Sequence, residues 1–136
     1  MNQRLILALF ASMALVTSSG AQTTGKVGLY FISPQNGETV SSPVTVRFGL
    51  SGMGVAPAGV EKENTGHHHL LIDTDLPKMD EPIPSDDKHL HFGGGQTETR
   101  LTLAPGQHTL QLLLGNWTHV PFNPPVVSDK ITVTVK

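Results

Sequence analysis

Val44-Thr45-Val46-Arg47-Phe48-Gly49-Leu50, entered through Pro43, is the stretch on which the fold turns. Val44, Val46, Phe48 and Leu50 share one parity, while Thr45, Arg47 and Gly49 take the other. Apolar residues at every second position mark a half-buried strand, because successive side chains of an extended chain point to opposite faces. Upstream, Val27-Gly28-Leu29-Tyr30-Phe31-Ile32 is a second strand candidate, stopped by the turn-forming run Ser33-Pro34-Gln35-Asn36-Gly37-Glu38.

Downstream, residues 51–65 hold three glycines and a proline with no steady apolar period, and read as a loop. A strand follows over His67 to Asp73. The segment Asp75 to Lys88 carries Pro77, Pro82, Pro84 and five carboxylates, which predicts a long solvent-facing connection without a regular helix. Short extended pieces follow at His89 to Phe92 and Thr97 to Leu103. Ala104-Pro105-Gly106-Gln107 then has the residue order of a type II turn. His108 to Leu114 is the most apolar strand, and Val127 to Val135 the last, with Asp129 ahead of its buried part. Strands, proline and glycine turns and no helical period predict an all-β fold: a small antiparallel, immunoglobulin-like β-sandwich of about seven strands.

The chain has 136 residues, nine Lys or Arg against eleven Asp or Glu, and no cysteine. Arg4, the apolar run Leu5 to Val16 and the small residues Ser19-Gly20-Ala21 have the form of a secretory signal peptide over residues 1–21. That leaves residues 22–136 as a single β-sandwich domain. The apolar run falls short of the roughly 20 residues a spanning helix needs, so no membrane insertion is expected after cleavage. Periplasmic export is the expected localisation. Zero cysteine excludes thiolate metal sites and thiol catalysis. Mild acidity without a basic cluster gives no footprint for nucleic acid.

Seven histidines are the chemical signal. His67 and His69 flank His68, His89 and His91 form a second His-x-His, and His119 follows Asn116-Trp117-Thr118. Residues two apart in a strand face the same way, about 6 to 7 Å apart at the backbone. If the two His-x-His strands are neighbours, four imidazoles lie on one sheet face, and His119 approaches from a loop. Neutral imidazole suits zinc, nickel and copper; the affinity order of first-row divalent ions favours copper, and zinc is the second choice because three imidazoles plus water or carboxylate also satisfy it. The expected ligands are His67, His69, His89, His91 and His119. His68 shares the parity of Leu70 and Ile72 and is expected to pack. His108, near a turn, is expected to be a hydrogen-bonded strand-end histidine. Trp117 either shields a metal or plugs the end of the sandwich.

The plainer account stands beside this one. Surface histidines are common, His-x-His occurs by chance, and Asp73 and Asp75 serve turns more often than they orient a metal ligand. Catalysis has no comparable support: there is no Gly-x-Ser-x-Gly turn, no His-Glu-x-x-His helix, and no phosphate loop around Gly93-Gly94-Gly95. The acidic residues of the 75–88 connection do not have the spacing of a calcium loop.

The segments Gly66-His67-His68-His69-Leu70-Leu71-Ile72-Asp73, His89-Leu90-His91-Phe92-Gly93-Gly94-Gly95-Gln96-Thr97-Glu98, Pro105-Gly106-Gln107-His108-Thr109-Leu110-Gln111-Leu112 and Gly115-Asn116-Trp117-Thr118-His119-Val120-Pro121 together resemble the DUF4399 family of small exported bacterial proteins. The resemblance covers nearly all of the chain after the export segment. It implies one all-β domain outside the cytoplasm and supplies no mechanism. Phe122 stands where the family pattern often has a further histidine.

Two functions are consistent with these readings. The first is a non-enzymatic periplasmic carrier of a divalent transition metal, exchanging its ion with an envelope protein. The second is a structural or protein-interaction module of the cell envelope without metal, presenting Met53, Val55, Val60, Met79 and Ile83 as an apolar patch.

Overall fold

The computed structural model describes residues 25–136, so the export segment 1–21 and residues 22–24 lie outside the described residues. Nine strands follow in chain order: β1 (Gly28–Ser33), β2 (Thr39–Val40), β3 (Val44–Ser51), β4 (Gly54–Val55), β5 (Thr65–Ile72), β6 (His89–His91), β7 (Glu98–Leu101), β8 (Gly106–Gly115) and β9 (Ile131–Val135). The two beyond the expected seven are the two-residue pieces β2 and β4, too short to leave a period in the sequence. No helix occurs among the described residues.

The strands form two sheets. One has the order β1-β3-β7, and the other β2-β9-β8-β5-β4, with β6 also paired to β5. Pairings are antiparallel except the short β2–β9 and β4–β5 contacts, which run parallel. β4 and β6 share one edge of β5: β4 takes Thr65 and Gly66, and β6 takes His69 to Leu71. The other edge of β5 pairs along six residues with β8.

Parity decides what meets between the sheets. Leu29, Phe31, Val44, Val46, Phe48 and Leu101 of the smaller sheet pack on Leu70, Ile72, Leu110, Leu112, Leu114, Ile131 and Val133 of the larger. These are the apolar positions of the period-two runs, and Leu50 joins them half-buried. The final strand begins at Ile131, behind Asp129, while Val127 makes only an isolated bridge to Leu113. Gly106 has a positive φ (124°), but it already opens β8, so the chain bends into that strand at Pro105 and does not close the expected type II turn.

The larger sheet is also covered on its outer face. Leu71 and Leu113 point away from the main core and meet Ile83, with Met79 and Val127 alongside. The 75–88 connection therefore departs from the solvent-facing expectation at one point: its charged residues face water, but Ile83 is tucked against the sheet. An apolar residue amid prolines and carboxylates carries no period, so only the fold reveals its partner.

Leu112 lies wholly buried at the middle of β8. Leu112→Ala should cost about 2 to 5 kcal/mol through lost burial and the cavity left behind, read as a lowered denaturant midpoint with an unchanged slope.

Candidate metal centre

β5 is buried from Gly66 to Ile72, on both of its faces. Its even positions feed the core between the sheets, and its odd positions His67, His69 and Leu71 face outward. On that outer face the antiparallel pairing places His91 of β6 directly opposite His69. His119 comes in from the turn after β8, because Gly115, the last residue of that strand, lies opposite His67. The four rings form one compact group, with centroid separations from 4.7 Å for His91 and His119 to 6.2 Å for His69 and His119. One nitrogen from each of His67, His69, His91 and His119 lies within 4.8 Å of every other. His67 Nε2 and His119 Nδ1 are 3.1 Å apart. Nitrogens bound at about 2.0 to 2.1 Å around a tetrahedral ion stand about 3.3 Å from each other, so this pair already has the spacing of two ligands of one cation.

Two glycines make room for the rings. A Cβ on Gly93 would fall 2.4 Å from His91 Cε1, and one on Gly115 would fall 2.8 Å from His69 Cε1 and 3.4 Å from the His119 Cα. The first is the functional content of the Gly93-Gly94-Gly95 run. In the sequence Gly115 shows only as the glycine that closes the most apolar strand and opens the segment ending at Pro121; nothing there reports its closeness to His69.

The electrostatics favour neutral rings. Burial, reinforced by the neighbouring His91, His119 and His68, lowers the His67 pKa to about 4. Burial and the same kind of crowding, from His67, His91 and His119, lower His69 to about 3. His91 is shifted down as well, by burial and then by His119. A neutral imidazole offers a lone pair, which is what a metal requires. The group is made of imidazoles alone, without a carboxylate. Within it His67 and His69 are fully buried, His119 is partly buried and His91 is exposed.

The other histidines separate cleanly. His89, expected among the ligands, does not join them. It sits opposite Leu71, one cross-strand step beyond His91, and its Nδ1 is 2.8 Å from Asp86 Oδ1. Sharing a face was not enough, because β6 is staggered so that only His91 reaches the rung of His69. His68 packs as its parity predicts, with its ring centroid 5.1 Å from that of Phe48. His108 is satisfied at both nitrogens, by Asp73 Oδ2 at 2.6 Å and the Ala104 carbonyl at 2.8 Å. Both neighbours are acceptors, so the ring is held in its protonated form, and the Asp73 bond, followed by that to Ala104, raises its pKa. Asp73 also accepts the Thr109 N–H, so it ties strand ends together and orients no ligand. Trp117 is exposed and plugs nothing. Phe122 packs against the main core. The five residues of the alternative apolar patch do not form one: Ile83 is buried and Met53 and Met79 are partly buried.

The chain belongs to the family described as a domain of unknown function, DUF4399, whose model matches residues 46–136. That stretch contains all four converging histidines. No curated protein and no solved structure matches the chain.

His68 yields a test that separates packing from ligation. Both of its ring nitrogens are buried without a partner, and burial lowers its pKa to about 4. An unsatisfied buried polar group costs about 1 to 3 kcal/mol, so His68→Leu should raise stability by that order and leave metal uptake unchanged. The sign of the pH effect follows from the same shifts. The unfolded chain takes up these protons near pH 6.5, before the folded one does, so stability is complete above that pH and declines as pH falls toward 4 and 3. His108, shifted the other way, contributes stability that is complete below pH 6.5 and lost as pH rises through its folded pKa. Melting temperatures should therefore drop between pH 7 and pH 4, and less steeply in His68→Leu.

Proposed function

We propose that this protein is a periplasmic carrier of one divalent transition-metal ion, copper in preference to zinc, held by His67, His69, His91 and His119. The observation that carries the reading is the convergence of four imidazole nitrogens within 4.8 Å of one another. Three elements far apart in sequence supply them, which chance spacing in a chain does not explain. A set of neutral nitrogens without competing oxygen donors suits copper(II) and zinc, and copper ranks higher on intrinsic affinity.

Carriage is preferred to catalysis because of how the donors are distributed. Two sit on the central strand β5, buried and fixed by the sheet. Two sit toward solvent, on the three-residue edge strand β6 and in a turn. An ion held this way is anchored from below and reachable from above, as handing it to an envelope protein demands. The export segment Arg4 to Ala21 is the basis for placing this exchange in the periplasm. Among the described residues no helix is long and apolar enough to cross a membrane.

Titration calorimetry of the metal-stripped protein with copper(II) and with zinc, at neutral pH, should give one ion per chain and a higher affinity for copper. His67→Ala and His69→Ala should each weaken binding by about 100-fold or more, since a direct ligand outweighs the outer-shell groups whose loss costs 10- to 100-fold. An ion present at 100 times its dissociation constant should stabilise the fold by about 2.7 kcal/mol. Absence of stoichiometric uptake of either ion would overturn the proposal.

Gly93→Ala tests the site without removing a ligand. The added methyl group displaces the solvent-facing His91 ring and not the backbone. Affinity should fall by about tenfold while the melting temperature of the metal-free protein stays close to that of the parent; unchanged affinity would show that His91 is no ligand.

A further inference from the structure

His119 is the one converging histidine that no strand holds. It lies in the turn that follows β8, and its φ is +69°, a left-handed conformation rare for residues with a side chain. Something must hold the turn in that shape for the ring to face His67. Asn116 sits at its start. The Asn116 side-chain Oδ1 accepts three hydrogen bonds: from Thr118 N at 2.9 Å, from Thr118 Oγ1 at 2.8 Å and from Val120 N at 3.0 Å. The backbone closes the same loop. The Asn116 carbonyl accepts the His119 N–H and the Asn116 N–H donates to the Val120 carbonyl, each at 2.9 Å. The far side is pinned by Ile83, whose N–H donates to the His119 carbonyl at 2.9 Å.

We infer that Asn116 is the positioning residue of the metal centre: its single amide oxygen folds the 116–120 turn around itself and so aims the His119 imidazole at His67, His69 and His91. The inference rests on the metal-binding reading and deepens it. It assigns Asn116 no contact with the ion. The oxygen has three donors converging on it from the residues on either side of His119, so removing it loosens the segment that carries the ligand and leaves only backbone bonds to shape it. All three bonds end on Oδ1, so a carboxylate in the same place serves equally, whereas a methyl group does not serve at all.

The test compares Asn116→Ala and Asn116→Asp with the parent, using zinc in competition with a chromophoric chelator. Asn116→Ala should bind at least tenfold more weakly, in the range found when groups that orient a ligand are lost. Asn116→Asp should bind within about threefold of the parent or more tightly, since it keeps the acceptor and adds negative charge near a cation. In a His119→Ala background, Asn116→Ala should cause no further loss, because its whole effect passes through that ring. Without metal, proton nuclear Overhauser contacts between the His67 and His119 rings should persist in Asn116→Asp and vanish in Asn116→Ala. Should Asn116→Ala fail to fold, Asn116→Gln takes its place, moving the acceptor outward by one methylene, with the same weakening expected. Parent-like affinity in the Ala or Gln variant, or an equal loss with and without His119, overturns the positioning role while metal binding stands. Failure of the parent itself to take up zinc or copper overturns both.

Discussion

β5 has no face turned to water: from Gly66 to Ile72 every residue is buried. A sheet strand in that position must satisfy two interiors with alternating side chains. Leu70 and Ile72 do so conventionally, closing the space between the sheets with Phe48, Leu112 and Val133. The opposite side is filled at one end by Leu71 against Ile83 and Leu113, and at the other by imidazoles. The architecture follows from this strand being central. β8 holds one edge, and β4 and β6 divide the other, so a shift of one residue would exchange the two faces and drive the leucines out of the core.

Burying imidazoles there is unfavourable by itself. His67 Nδ1 and His69 Nδ1 have no protein partner, and their rings are crowded by one another and by His91 and His119. Each unpaired buried nitrogen subtracts from a stability that is small to begin with. A cation shared by the rings would offset part of the crowding by turning it into shared attraction. The same burial, reinforced by crowding, that lowers their proton affinity keeps the lone pairs available. His108 shows the contrast within one molecule: flanked by a carboxylate and a carbonyl, its pKa is raised instead of lowered, and it serves as a clasp between the end of β5 and the start of β8.

Legibility in the sequence tracked periodicity. Val44 to Leu50 and His108 to Leu114 declare their inward faces residue by residue, and His68 could be set apart from its neighbours by parity alone. His67, His69, His91 and His119 were all named from spacing and residue type. The stagger of β6 was not legible, and it decides that His91 faces His69 while His89 falls beside Asp86. Register between strands far apart in sequence is set by tertiary packing, which no local pattern reports. The same limit hid Ile83 and Gly115, whose partners come from elsewhere in the chain. β2 and β4 pair over two residues each, too few to alternate visibly. Asn116 was seen only as part of a motif, because its role lies in three bonds that form once the turn exists.

The chain holds a single tryptophan, and it lies two residues before His119 with its side chain open to solvent. An indole on the same turn as His119 makes the molecule its own optical gauge. A paramagnetic ion with a partly filled d shell quenches nearby emission, whereas an ion with a closed shell leaves the brightness largely intact and alters only its colour. If the four histidines take up an ion, the light from Trp117 would distinguish copper from zinc in an unlabelled sample and follow its departure in real time.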